Sequence, residues 1–411
     1  MWWYLNHGHL TRYFPRMLLV LALAATAGLR YRGGQAGGFS PSSAAGLSSF
    51  GLALFELACD DTAAPVVFLS PLSVAGALAM AAAGASPGAS ETQLLSALGV
   101  KAHTQIPELS SALLSPPSGV ELHVANSIWT KKSILPEFIK VAKEVHHAIA
   151  APLPKTYAPL NAWVSKQTQG RITDILHGDP SPDVQAILIN AIFFKGSWAA
   201  KFQPKRTTVG SFHAPSGDVP APFMRRTDKL PCVMGVPSLG GASVVQLDYG
   251  EGGGNFSALL ILPADATAAA MAAVTSGLRA APLADLLLEL RKSSREVGLL
   301  LPRFKAEWGV TSLMPHLRAL GVAAAFDPKA RGFSRMSNDP KLHIDDVLHK
   351  ATIEVNEEGT VAAAATAVRM RQLSLPIPIP MHFNRPFVML VVHRPSAVPL
   401  FAGRFNHPKF G

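Results

Sequence analysis

From Val184 to Phe194 the sequence is almost continuously apolar, the pattern of a β-strand buried on both faces rather than one with a solvated side. Such a strand needs cover above and below. The chain can supply it: 411 residues, 48% hydrophobic and 16% charged, are ample for a large core and too apolar for a disordered polypeptide. Further strands are predicted at Val66–Leu69, Glu121–Trp129, Cys232–Val236, Ala242–Leu247, Ser257–Leu262, Val297–Phe304, Ala351–Asn356, Pro386–His393 and Leu400–Phe405. Helical periodicity runs from Leu47 through Leu57, from Ser70-Pro71 to about Ala83, and over Glu91–Leu98, Pro136–Ala148 and Leu160–Leu176. It returns over Ala264–Leu278, Leu283–Arg291 and Val310–Leu320. Helices come first and strands dominate later without regular alternation, which predicts an α+β fold in one domain from residue 47 to 411.

The start reads as an address. Arg12 and Arg16 precede the apolar run Met17–Ala25, and Ala25-Thr26-Ala27 offers small residues for cleavage after Ala27. That run is too short to cross a bilayer, so residues 1–27 are expected to be a signal peptide and no membrane partner is expected. Met17 is an alternative start. Residues 28–46, rich in glycine and serine, are expected to form a flexible spacer. The Asn255-Phe256-Ser257 triplet is a glycosylation acceptor in a secreted chain.

A net charge of +10 suggests a polyanion partner until its sources are located. Four of the 37 basic residues, Arg12, Arg16, Arg30 and Arg32, precede residue 47 and no acidic residue does, so the body carries only +6. The pairs Lys131-Lys132, Lys205-Arg206 and Arg225-Arg226 read as solvated faces, and neither nucleic-acid nor heparin-like binding is expected. Cys59 and Cys232 do not make a disulfide framework, and free buried thiols are expected.

Enzymatic signals fail on chemistry. Gly84-Ala85-Ser86-Pro87-Gly88 matches a serine-hydrolase pattern. In that elbow, however, the residue after the serine must donate its N–H to the oxyanion, and Pro87 has none. The His146-His147 pair and the His7 and His9 pair lack a matching second cluster, so no metal is expected. The glycines at 250, 252, 253 and 254 lack a following helix and lysine, and read as a loop between strands.

One segment is unusual for a surface loop. Glu357–Met370, EEGTVAAAATAVRM, is alanine-rich, has no proline, and carries glycine only near its start. As an extended strand, one face would carry Thr360, Ala362, Ala364, Thr366, Val368 and Met370, all small or apolar. The other would carry Val361, Ala363, Ala365, Ala367, Arg369 and Arg371. Such a strand enters a sheet without burying a charge. In Leu375-Pro376-Ile377-Pro378-Ile379-Pro380, proline at every second position then removes ladder donors and favours polyproline geometry, so insertion must stop near Leu375.

Here the residues resemble a known family. Glu357-Glu358-Gly359-Thr360, followed by Ala362, Ala363, Ala364, Ala365 and Thr366, resembles the hinge of inhibitory serpins. The segment Met381–Val391 is similar to that family's C-terminal signature around Phe383, Asn384, Arg385, Pro386 and Phe387. Phe68–Ser73, Thr168–Ile172, Asn190–Gly196 with Trp198, and Val347–Ala351 fit in family order from about residue 47 to the end.

The resemblance implies helices packed around three β-sheets, an exposed reactive-centre loop at about residues 357–380, and a sheet that opens to accept the cleaved loop. Function would then be suicide inhibition of a serine protease through a covalent complex, by a secreted monomer without enzymatic activity or cofactor. It places Ser70, Ser73, Asn190 and His349 at the shutter where the sheet parts, Trp198 where insertion begins, and Glu357 beside Arg303. Counting the family's usual seventeen residues from Glu357 puts the bait bond at Leu373-Ser374, suited to a chymotrypsin-like pocket. The alternatives are Arg371, suited to trypsin-like enzymes, and Leu375, which Pro376 would follow. A noninhibitory carrier or chaperone of the same fold is the competing reading. Val361 stands where the family often has an acid. The stretches Leu98–Asn126 and His146–Trp163 are short, which argues against glycosaminoglycan activation.

Overall fold

A computed structural model describes residues 40–62, 64–113, 118–359 and 377–410. The chain begins with α1 (Pro41–Ala58), β1 (Val66–Leu69), α2 (Pro71–Gly84), α3 (Ala89–Leu98) and α4 (Gln105–Leu113). Next come β2 (Val120–Thr130), α5 (Pro136–Glu144), β3 (Ile149–Pro152), α6 (Ala158–Gln167) and β4 (Ala186–Gly196). The strands β5 (Thr208–Ala214), β6 (Gly217–Val236), β7 (Ala242–Asp248) and β8 (Phe256–Leu262) precede α7 (Ala268–Ala280) and α8 (Leu283–Lys292). Then follow β9 (Ser294–Pro302), β10 (Phe304–Glu307), β11 (Thr311–Ser312), α9 (Met314–Ala319) and β12 (Asp346–Val355). The described chain ends with β13 (Ile379–His382), β14 (Phe387–His393), β15 (Val398–Phe405) and β16 (Lys409–Phe410).

The doubly apolar run is β4. Its side chains divide at the strand period: Leu188, Ile192 and Phe194 enter the main core, while Ile187, Ile189 and Ala191 enter a second cluster with Leu160 and Val164 of α6. The sheet containing β4 has the order β16-β10-β12-β4-β2-β3, with β11 beside β12. At its centre β12 and β4 pair in parallel, from Asp346 opposite Ile187 to Thr352 opposite Phe193. The two paired strands form a closed seam. Beneath it lies α2, capped by the Ser70 hydroxyl and opened by Pro71. Its fully buried alanines, Ala75, Ala77, Ala79, Ala81 and Ala82, allow close backbone approach.

A second, nine-stranded sheet has the order β1-β15-β14-β8-β7-β6-β9-β13, with β5 on β6. Two of the three expected sheets are therefore continuous. The twenty-residue β6 joins them, pairing with β5 and β9 through Pro231 and with β7 from Cys232 onward.

Several boundaries differ from the sequence expectation. The first helix starts at Pro41, inside the expected spacer, because Ser40 caps it and Pro41 occupies its first position. Helix α6 stops at Gln167, not Leu176, since Gln169 and Gly170 take positive φ angles of 52° and 74°. The segment beyond it crosses the seam. Arg171 lies 5.2 Å from the Phe193 ring of β4, and Lys350 of β12 donates to the Asp174 carbonyl at 3.1 Å. Pro380 sits within β13, a strand that pairs with β9 on one side only, so the missing N–H costs no ladder bond. The expected helix at Val310–Leu320 is instead the short β11 followed by α9.

Candidate functional site: a shutter beneath the seam and a latch above it

Strand pairing places Asn126 of β2 opposite Asn190 of β4, and Asn190 opposite His349 of β12. The N-terminus of α2 brings Ser70 and Ser73 beneath them. Asn190 donates through Nδ2 to Ser73 Oγ and to Asn126 Oδ1, and its Oδ1 lies 2.6 Å from His349 Nδ1. The Ser70 N–H donates to His349 Nε2 at 3.2 Å, and its hydroxyl donates to the Leu400 carbonyl at 2.6 Å. Because Nε2 accepts, the His349 proton must sit on Nδ1, where it donates to Asn190. The network thus ties both seam strands to α2 and to β15.

Burial pushes the His349 imidazolium down from 6.5 to about 3, partly offset by the hydrogen bond at Asn190. A proton on Nε2 would face the Ser70 N–H and break the contact. Above pH 6.5 both folded and unfolded chains are neutral here and stability is complete. Between pH 6.5 and about 3 the unfolded chain binds a proton that the folded chain does not, so stability falls as pH falls. His146, lowered to about 3, and His393, lowered to about 4, act with the same sign. Thermal midpoints are therefore expected to hold level from pH 7.5 to about 6.5 and to decline from there to pH 4.5, with a shallower decline in His349→Gln. An equal slope in that variant would remove His349 from this account.

Above the seam, Trp198 stacks on Tyr249 with ring centroids 4.5 Å apart. Its indole N–H donates to the Asn356 carbonyl, and its backbone N–H to the Glu358 carbonyl, each at 3.0 Å. Glu357, only 7% exposed, accepts from the Thr207 hydroxyl at 2.6 Å and lies 3.6 Å from the Arg303 guanidinium. Lys201 pairs with Glu358 at 2.7 Å. Gly359 bridges to Ser197 with φ of 120°, and an added Cβ would lie 2.4 Å from both the Gly196 oxygen and the Trp198 nitrogen. Only glycine fits there.

Two groups singled out in the sequence are thus each brought together: Ser70, Ser73, Asn190 and His349, and Trp198, Arg303, Glu357, Glu358 and Gly359. Sequence reading missed Asn126, Lys201 and Thr207. Asn126 had a faint signal, forming with Ser127 a polar pair between the apolar residues Val124-Ala125 and Ile128-Trp129 of a predicted strand. Thr360, Ala362, Ala363, Ala364, Ala365, Thr366, Arg371, Leu373, Ser374 and Leu375 lie outside the described residues. The described chain resumes at Ile377, which is 92% exposed.

The rejected signals have structural roles. Ser86 donates to the Arg331 carbonyl at 2.8 Å and accepts from the Ser334 N–H, which ties α2's exit to a distant loop. Cys59 and Cys232 are free and buried, and burial raises the Cys59 thiol to about 12. Among the described residues, no group of three or more His, Cys, Asp or Glu side chains could hold a metal ion. Asn255 is exposed just before β8.

A family model described as serpin, serine protease inhibitor, matches residues 45–408. The chain is 32% identical to the leukocyte elastase inhibitor of Bos taurus over 87% of this chain and 97% of that protein. It is 31% identical to Serpin B8 of Homo sapiens over 88% and 98%. Arabidopsis AtSerpin1 in its native stressed conformation superposes with a TM-score of 0.77 at 28% identity, covering 90% of this chain and 99% of that one. Human thyroxine-binding globulin shares the fold, at TM-score 0.77 and 24% identity over 89% and 98%. With a family match spanning nearly the whole described fold, and with that closed seam and its flanking networks in place, the chain belongs to the serpin family of serine protease inhibitors.

Proposed function

We propose that the protein is a secreted, monomeric suicide inhibitor that a chymotrypsin-like protease attacks at Leu373-Ser374. The observation that carries this reading is the placement of the two ends of the bait segment. Gly359 is anchored at the top of the closed β4–β12 seam, and Ile379 is held in β13 of the other sheet. Cutting the chain between these anchors frees the Gly359 end to enter the seam, while the far end stays paired to β9. From Thr360 to Leu373 the strand would span roughly 46 Å at about 3.3 Å per residue. An acyl-enzyme attached to it would be carried the length of the sheet, distorting the catalytic machinery before water completes hydrolysis. Serpin loop insertion is among the standard examples of strand addition and released strain.

Inhibition is favoured over a carrier role because the inward face of the hinge, Thr360, Ala362, Ala364 and Thr366, holds neither charge nor proline. The leader at residues 1–27 and the exposed acceptor Asn255 support secretion and glycosylation. Mixed with chymotrypsin, the protein is expected to give a detergent-resistant covalent complex and a released peptide beginning at Ser374. A peptide beginning at Gln372 would reassign the target to trypsin-like enzymes. Complete cleavage with no complex would refute inhibition.

A further inference from the structure

Two basic pairs that looked alike in sequence are used differently in the fold. In Arg225-Arg226, the second arginine turns to the covered side of β6, where it bonds the Ala200 carbonyl, pairs with Asp228 at 3.0 Å and lies 5.4 Å from the Phe202 ring. Arg225 points to the opposite, exposed side and donates to the Thr208 hydroxyl at 3.1 Å. Thr227 and Lys229 follow it at the strand period and are exposed as well. Across the ladder, β9 sets Leu300, Gly298 and Glu296 opposite these three, and β13 adds His382 beside Leu300. Lys205 and Arg206 are exposed on the turn that leads into Thr208, the residue holding Arg225. This face therefore presents Arg225 and Lys229 with Glu296 beside them and Asp228 on the other side, and the exposed Lys205 and Arg206 stand on the turn at its border.

Its position connects it with the bait. Ile379, the first residue of β13, follows Ser374 by five residues, so the bait bond is within roughly 17 Å of β13 even when fully extended. Strand β6 is two strands farther on, at about 4.8 Å per step. A protease domain of roughly 230 residues is about 45 Å across by size scaling, so an enzyme seated on Leu373 overhangs this face.

We infer that the exposed side of β6 and β9 is a second docking surface for the target protease, recognising acidic side chains beside that enzyme's cleft. The inference rests on the inhibitory reading and adds to it a criterion for the target: a serine protease with an acidic rim, steered by charge before the bait is engaged. Glu296 opposite Lys229 and the uncharged Gly298–Thr227 pair interrupt the basic row, which suits a shaped protein surface better than a uniform polyanion.

The test compares association rate constants for chymotrypsin and for chymotrypsin whose lysines have been succinylated, two forms with one active site and opposite rim charge. If trypsin is the enzyme that forms the covalent complex, its native and succinylated forms replace them. The native inhibitor is expected to trap the succinylated enzyme about tenfold faster at low salt, a preference that shrinks at high salt. The double variant Arg225→Glu/Lys229→Glu is expected to lose or reverse it, and Arg225→Gln/Lys229→Gln to fall between, with unchanged inhibition stoichiometry and thermal midpoint. An identical preference in the native protein and the double variant overturns the inference. So does unchanged kinetics accompanied by lost retention on immobilised heparin, which would assign the face to a polyanion. Absence of any covalent complex from the native protein overturns the inhibitory reading together with this one.

Discussion

Arginine in place of Thr366 is expected to convert the inhibitor into a substrate, lowering the yield of covalent complex at least tenfold while cleavage of the bait continues. On the inward face of an inserted strand, residue 366 would enter a seam whose lining includes Leu188, Ile192, Val347 and Ala351, each 2% exposed or less. No carboxylate is among them, so a guanidinium there costs several kcal/mol in lost hydration. In the proposed mechanism insertion and deacylation compete, so each 1.4 kcal/mol added to the insertion barrier would shift the outcome tenfold toward hydrolysis. Val361→Arg, on the outward face, is the control and should leave the yield within about twofold. A second readout is independent of the protease. If the cleaved native protein gains a strand, as proposed, about ten new ladder bonds at roughly 1 kcal/mol each should raise its thermal midpoint by more than about 10 °C. Cleaved Thr366→Arg should gain far less. Equal complex yields and equal gains would exclude insertion of this face.

The core was legible where burial forced composition. Val184–Phe194 read as a strand covered twice, and the structure covers it with α2 and the main core on one face and α6 on the other. The α+β class followed from the order of such runs. What stayed hidden depends on contacts distant in sequence. The length of β6 was invisible because Pro220, Pro222 and Pro231 interrupt it and its middle, Arg225–Lys229, is polar, so only its apolar end at Cys232–Val236 stood out. The stop of α6 was obscured because apolar spacing continues through Ile172 and Ile175, which do join the α6 cluster, but from a non-helical strap. At the site, the hinge and shutter residues came from resemblance. Thr207 and Lys201 had no local signal, since what selects them is the position of Glu357 and Glu358, about 150 residues away.

The shutter should be the most sensitive point in the uncleaved protein, and Asn190→Ala its most damaging single change. Asn190 is fully buried and uses its whole amide: both donor bonds, to Ser73 and Asn126, and the acceptor that receives the His349 proton. Alanine leaves that proton and the Asn126 oxygen without these partners in a buried site, and opens a cavity beneath the seam, between it and α2. Together these cost roughly 2–5 kcal/mol. Ser73→Ala removes one acceptor only and should cost about 1 kcal/mol. The expected result for Asn190→Ala is a thermal midpoint lower by several degrees, with faster formation of oligomers on mild heating than in Ser73→Ala. Oligomers are the specific expectation, because a loosened seam exposes unpaired strand edges to a bait segment from another copy. A synthetic peptide spanning Thr360–Met370 should compete for the same edges and suppress them. If Asn190→Ala loses stability but stays monomeric with and without the peptide, the network supports the fold without guarding the seam.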